Sequence, residues 1–304
     1  MRKTTVLSEI LQRKALSFLM EAHNALSAKI AEESGFEALW ASSLSISASL
    51  GLRDRNEASW TQVLDIVDFM VDHAEVPILF DGDSGFGNFN NVRRLVRKLS
   101  QRRVAGVCLE DKLFPKTNSF IGAGQSLAPI SEFCGKLRAA KDSQEDPDFC
   151  VVARTEALVS ECGMNEALRR ADAYSDSGAD AILIHSKKSD GEEILDFCSR
   201  WNRSRPIIIV PTKYYKVPTD DFRKVGVSCI IWANHSLRAS ISAIRCVTRK
   251  IHDQESVFQV EQEIAPLDDI FHLTNECEAQ EAERKYLGEP METDIVADSS
   301  ITRA

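Results

Sequence analysis

Three acidic side chains fall where short apolar runs end. Asp81 and Asp83 stand two apart in VPILFDGD and the glycine-rich DGDSGFGN, and Glu110 closes VAGVCLED. Alternation along a strand sends residues two apart to one side, so Asp81 and Asp83 are expected together, with Glu110 beside them from the next run. Converging carboxylates repel one another unless a cation lies among them. Hard oxygen donors with no soft ligand nearby favour Mg2+ or Mn2+ over zinc. Taken singly, each aspartate near glycine equally suits a helix cap or a turn. Gly82, Gly85 and Gly87 let the backbone approach a ligand or fold tightly.

Arg154 and His185 close two later runs, FCVVART and DAILIHS. Arginine opposite a divalent metal is a clamp for phosphate or carboxylate. Histidine can donate to a phosphoryl oxygen or shuttle a proton. The bland readings are an Arg154–Glu156 ion pair and a satisfied core histidine. Asp54, in GLRDRNEAS, is either a fourth, outer carboxylate or a helix cap in an Asp-x-x-Glu box with Glu57. Lys116, Asn118 and Ser119, in KLFPKTNSFIGAGQSL, could close over an anionic substrate or simply be solvated. A metal, anion clamps and a lid together point to chemistry on a small anionic enol or keto acid. The absence of GxxxxGK[ST] argues against nucleotide phosphoryl transfer.

These residues need a scaffold that gathers them. Eight β-rich apolar runs recur, at 18–23, 37–42, 76–83, 104–111, 149–155, 180–186, 206–212 and 228–235. Helical periodicity lies between them, most clearly at 57–74, 164–175 and 236–251. Gly178 in SGAD marks a helix end. Continuous apolar strands alternating with helices imply a covered parallel sheet. Eight units in this length fit an α/β fold of the closed (β/α)8, TIM-barrel type; an open doubly wound sheet competes. Polar residues at each run's end (Glu21 and His23, Ser42, Asp81 and Asp83, Glu110, Arg154, His185, Thr212, Asn234) favour the barrel, where all C-terminal strand ends meet at one rim. Residues 43–56 and 112–127 are long rim loops. The barrel is expected over 1–253 and a helical extension over 254–288, with short helices at 265–275 and 278–287. A disordered tail is expected at 289–304.

The 304 residues carry 37 basic and 46 acidic side chains, a net −9, which leaves no electrostatic footprint for nucleic acid. With 43% hydrophobic and 27% charged residues, wholesale disorder is excluded. No apolar run reaches the roughly 20 residues a bilayer needs, and MRKTTVLSEILQRK is too charged for a signal peptide. Eight cysteines without a CxxC pair read as reduced thiols in a cytoplasmic protein.

The block EDKLFPKTNS (110–119) resembles the EDK-x5-NS hallmark of the phosphoenolpyruvate mutases, in the isocitrate lyase/phosphoenolpyruvate mutase superfamily. MEAHNALSAKIAEESGF, LGLRDRNEASWTQV, FDGDSGFGNFNNVRRLVRKL, ILIHSKK, VPTKYYK and IIWANHSLRAS carry the similarity from about residue 5 to 288. The resemblance implies a barrel whose last helix is exchanged between subunits, in a homodimer or a homotetramer of two such pairs. It implies Mg2+, with Mn2+ as substitute, bound through Asp81, with Asp83, Glu110 and Asp54 acting through water. Ser42, Ser43 and Leu44 would contact the pyruvyl part. Arg154 and His185 would hold the phosphoryl group, Asn118 and Ser119 would reach it from the loop, and Lys116 would help closure. The implied reaction is interconversion of phosphoenolpyruvate and 3-phosphonopyruvate, the first step of phosphonate biosynthesis.

One position departs from that pattern: Ser43, in WASSLS, stands where the family usually reads glycine. The nearest rival is phosphonopyruvate hydrolase, which the resemblance separates by the Asn118 position. Carbon–carbon lyases of the superfamily carry a cysteine in a KKCGH-like stretch, and residues 112–119 here contain none. A carboxyphosphonoenolpyruvate mutase and a catalytically silent barrel complete the alternatives.

Overall fold

The computed structural model describes residues 1–120, 125–202 and 205–287. Eight parallel strands close in sequence order into a barrel: β1 (Ser17–Ala22), β2 (Ala38–Ala41), β3 (Ile78–Asp81), β4 (Gly106–Glu110), β5 (Cys150–Thr155), β6 (Ala181–Ile184), β7 (Ile207–Ile209) and β8 (Cys229–Trp232). β1 pairs with β8, so no sheet edge remains. The open-sheet alternative is excluded, and each of the eight expected runs overlaps one strand.

The alternation of each strand sorts two cores. Leu19, Trp40, Leu79, Cys108, Val152, Leu183 and Ile208 fill the barrel interior, while Phe80, Val107, Leu109, Val151, Ala153, Ile182 and Ile184 pack outward. The helix Lys3–Gln12 plugs the lower end with Leu7, Ile10 and Leu11, which join the interior cluster. Continuing the inward parity by one step from Trp40, Leu79, Cys108, Val152 and Leu183 leads to Ser42, Asp81, Glu110, Arg154 and His185. Period-two geometry therefore aims these five side chains at the upper mouth.

Low in the interior, Gly106 lies where a Cβ would stand 2.7 Å from the Cys150 carbonyl oxygen and 3.1 Å from Leu7. The first contact is backbone of the paired strand β5 and cannot turn away. Gly106→Ala is expected to cost about 1–3 kcal/mol by overpacking. Urea unfolding would read this as a lower midpoint at unchanged slope.

The helices between strands follow their local signals. Trp60–His73 buries Val63, Leu64, Val67, Met70 and Val71, and Ser59 and Gln62 form its capping box. The alternative of Asp54 and Glu57 as that cap is thereby corrected: Glu57 instead accepts from the Arg53 amide, and the helix starts six residues beyond Asp54. Met164–Asp176 ends just before Gly178, whose φ of +97° suits glycine.

The chain separates into two compact units, residues 1–245 and residues from 246 on, a division that falls within the helix His235–Gln254. That helix has no buried residue, and Ile241 and Ile244 are exposed. In the second unit, Leu267–Leu273 and Glu276–Leu287 are helices. The expected tail at 289–304 lies outside the described residues. No helix among the described residues is long and apolar enough to cross a membrane. Cys108, Cys134, Cys150, Cys198 and Cys229 are buried free thiols, and Cys162, Cys246 and Cys277 are exposed.

Candidate active site

The C-terminal strand ends and two loops enclose one cavity. Ser42, Ser43, Leu44, Asp54, Asp81, Glu110, Lys116, Asn118, Ser119, Arg154 and His185 all line it, together with Trp40, Lys112, Phe120, Thr212 and Asn234. Of the expected site residues, Asp83 alone stands behind the lining. β3 ends at Asp81, and Asp83 adopts φ +49° in the turn that follows. Strand alternation is thus not what places it; the left-handed turn does, and the Glu110 amide donates to its carbonyl at 2.8 Å. Glu21 and His23, also expected at the rim, do not line the cavity. They pair with each other at 2.7 Å, and Glu21 accepts the Ser236 and Leu237 amides at the start of the last long helix.

One half of the site is acidic. Lys116 Nζ lies 2.7 Å from Asp54 Oδ1 and also pairs with Asp83. Asn118 Nδ2 donates to Asp54 Oδ2 at 2.6 Å. Asn56 bridges from below, accepting the Lys116 amide and donating to Asp83 Oδ2, both at 2.7 Å. Burial and the neighbouring Asp81, Asp54 and Glu110 push the Asp83 carboxyl up to about 7, against the pull of Lys116. Burial also raises Glu110. In Asp54 the nearby Lys116 and Asn118 outweigh burial and hold its carboxyl below the ordinary range. The same carboxylates outweigh burial at Lys116 and keep its ammonium charged.

The residues present fit a divalent cation. Glu110 Oε1 is buried without a hydrogen-bond partner, and Asp54, Asp81 and Asp83 crowd beside it around Lys116. Among the described residues no three His, Cys, Asp or Glu side chains are close enough to form a direct metal cage. Hard oxygen donors of this kind suit a cation such as Mg2+, which keeps several waters and takes one or two carboxylates directly.

The other half is a buried cation clamp, opposite Glu110 in the β4–β5 register. Arg154 Nη2 lies 3.0 Å from both Ser119 Oγ and His185 Nδ1, and its Nε pairs with Glu156 and, at 3.4 Å, with Glu110. Glu156 is the common anchor: it accepts from Ser119 Oγ at 2.8 Å, meets His185 Nδ1 at 3.0 Å and lies 3.5 Å from Lys112. Burial opposes its charge, but Arg154 and His185 outweigh that and hold its carboxyl well below the ordinary range. Burial, with Arg154 adding to it, lowers His185. Lys112 also donates to the Thr117 carbonyl at 2.8 Å and to Ser119 at 2.7 Å, pinning the loop. Phe120 sets its ring edge-on to His185 at 5.4 Å, under Lys213.

The Arg154–Glu156 pair and the clamp thus coexist. Glu156, Lys112 and Asn56 were not among the expected site residues. Inward parity from Val152 through Arg154 to Glu156 was a signal for the first; nothing local singles out Asn56.

Comparison with known proteins assigns the chain to a family. The family model described as phosphoenolpyruvate phosphomutase matches residues 7–252. A phosphoenolpyruvate phosphomutase of Tetrahymena pyriformis is 55% identical over 287 residues, covering 94% of this chain and 96% of that protein. The crystal structure of a phosphoenolpyruvate phosphomutase from Streptomyces platensis subsp. rosaceus superposes with a TM-score of 0.92 at 40% identity, covering 93% and 99% of the two chains. A phosphonopyruvate hydrolase in complex with oxalate and Mg2+ is similar at 35% identity and a TM-score of 0.90, covering 94% and 100%. The chain belongs to the phosphoenolpyruvate phosphomutase family.

Proposed function

We propose that this protein is an isomerase that interconverts phosphoenolpyruvate and 3-phosphonopyruvate. The observation that carries the reading is Asn118: it stands inside the cavity on Asp54, next to Ser119 on the Arg154–His185 clamp. Residues 112–119 hold no cysteine that could serve a carbon–carbon lyase.

From phosphonopyruvate, the P–C3 bond breaks and leaves its electron pair on pyruvate enolate. The phosphoryl group is then taken by the enolate oxygen, so no atom leaves the pair. Such a transfer needs positioning and charge stabilisation more than a strong base. Arg154 and His185 hold the phosphoryl oxygens, and Glu156 keeps both side chains in place. Asn118 and Ser119 contact the group from the loop and keep water off it. Ser42, Ser43 and Leu44 receive the pyruvyl end. Asp54 uses one oxygen for Lys116 and the other for Asn118, which favours a loose, metaphosphate-like transfer over an aspartyl-phosphate. A divalent cation, Mg2+ with Mn2+ as substitute, would be held by Asp81 directly and by Asp83, Glu110 and Asp54 through water, and would supply Lewis-acid stabilisation of the enolate oxygen.

The test is phosphorus NMR of the protein with phosphonopyruvate and Mg2+. Growth of a phosphoenolpyruvate signal supports the mutase. Inorganic phosphate alone makes it a hydrolase, and no change moves the weight to a lyase, a carboxyphospho enzyme or a silent barrel. In the same assay Asn118→Ala is expected to slow isomerisation about a hundredfold, the worth of one oriented donor, and to release phosphate. Kinetics like the wild type would remove Asn118 from the mechanism.

Two wider features belong to this reading. The unburied helix His235–Gln254, with Ile241 and Ile244 outward, suits exchange between subunits of a homodimer or homotetramer. The buried free thiols suit a reducing cytoplasm.

A further inference from the structure

We propose that the Ser43 hydroxyl is a positioning group that tethers residues 116–120 to the strand-end carboxylate Asp81. Ser43 is the first residue of the helix Ser43–Ser49 and is buried. Its Oγ donates to Asp81 Oδ2 at 2.9 Å and accepts from Lys116 Nζ at 3.0 Å. The polarity of this link is forced, because an ammonium only donates and a carboxylate only accepts. Both bonds involve a charged partner and belong to the stronger class.

The link does something the backbone cannot. The Ser43 amide also reaches Asp81 Oδ2, at 3.3 Å, and a glycine at this position would keep that contact. Only the hydroxyl joins Asp81 to the lysine. Lys116 otherwise pairs with Asp54 and Asp83, so the serine adds the third carboxylate of the acidic half to the loop's anchorage. Lys116 is held a second time through its own amide on Asn56 Oδ1. Loss of the hydroxyl should therefore loosen residues 116–120 without releasing the strand end. In the proposed mutase reaction a looser loop admits water to the phosphoryl group. Ser43 would then set the share of substrate lost as phosphate; this kinetic consequence rests on the proposed function, whereas the tether does not.

The experiment is hydrogen exchange at the Lys116 and Phe120 amides in the ligand-free, full-length protein, with melting temperature recorded alongside. Ser43→Ala is expected to speed exchange there about tenfold, the effect of losing one charge-assisted hydrogen bond, and Ser43→Thr to restore it. In a Lys116→Met background, Ser43→Ala is expected to add nothing, since the link is already cut. This cycle decides the matter should the threonine variant fail to fold. Under turnover with phosphonopyruvate, Ser43→Ala is expected to raise the phosphate share, which a purely structural role would leave unmoved. Unchanged exchange in Ser43→Ala, or an equal increment in both backgrounds, overturns the tether. Faster exchange in a protein whose wild type turns over no phosphonopyruvate leaves the tether standing and removes the mutase reading.

Discussion

Asp81→Ala is expected to bring turnover of phosphonopyruvate to background while the melting temperature holds or rises. Asp81 is the inward, strand-end carboxylate proposed to hold the cation directly, and loss of several kcal/mol of charge stabilisation is roughly a thousandfold or more in rate. The fold has little to lose. The hydrogen bonds that Asp81 accepts come from Ser43 and, at 3.4 Å, from the Asp83 amide. It also has something to gain, because Asp81 is one of the carboxylates that push Asp83 up to about 7. Removing it relieves like-charge repulsion that the site carries for its chemistry, a trade of stability for function. Titration of Mn2+ into the variant should show lost affinity. Turnover like the wild type would sink Asp81 as a metal ligand. A collapse of the melting temperature would make its role structural.

Glu156→Gln is expected to be the most destabilising single change in the clamp, by about 3–5 kcal/mol at neutral pH, the cost of breaking a buried ion pair from one side. The amide keeps the shape but takes from Arg154 and Lys112 their nearest counter-charge, leaving Arg154 only the longer contact to Glu110, at a residue with no exposed surface. Turnover is expected to fall about a hundredfold, because a displacement of the order of 1 Å in a positioning side chain costs that much. The pH dependence identifies the cause. Burial opposes the charge of Glu156, but its cationic neighbours hold its folded-state carboxyl well below the ordinary value. A depressed carboxyl contributes stability that is fully present above its unfolded value, about 4.3, and is lost as the pH falls toward the folded value. The gap between wild type and Glu156→Gln in urea unfolding should be full at pH 7 and shrink below about pH 4. A gap independent of pH would assign the loss to packing instead.

How far these residues were legible beforehand differs from one to the next. The eight apolar runs and the helices between them announced a covered parallel sheet, because a strand buried on both faces must be largely apolar, and the polar residues at the run ends favoured closing it into a barrel. The period-two rule then carries Ser42, Asp81, Glu110, Arg154 and His185 to the upper mouth without reference to any partner, since the direction of a strand side chain is local. The loop residues Lys116, Asn118 and Ser119 were legible as a motif of type and spacing.

Other features depended on the closed structure. Asp83 owes its place to a left-handed turn rather than to alternation, and of the two readings of Asp54 the cap falls away because Ser59 and Gln62 take the helix start, which leaves Asp54 on Lys116. Glu156 became the shared counter-charge of Arg154 and Lys112 and a hydrogen-bond partner of His185, and Asn56 the bridge between Asp83 and the Lys116 amide. The links of Asn56 with Lys116, Asp54 with Lys116 and Glu156 with His185 and Lys112 join groups far apart in the chain, and exist only because barrel closure brings distant strand ends within hydrogen-bond reach. Amino-acid types and their periods determined the fold, the rim and the chemistry this protein can carry. Which charges pair, and so which of them remain for substrate and metal, was decided by tertiary packing, because burial makes the energy of every charge depend on its neighbours rather than on its place in the chain.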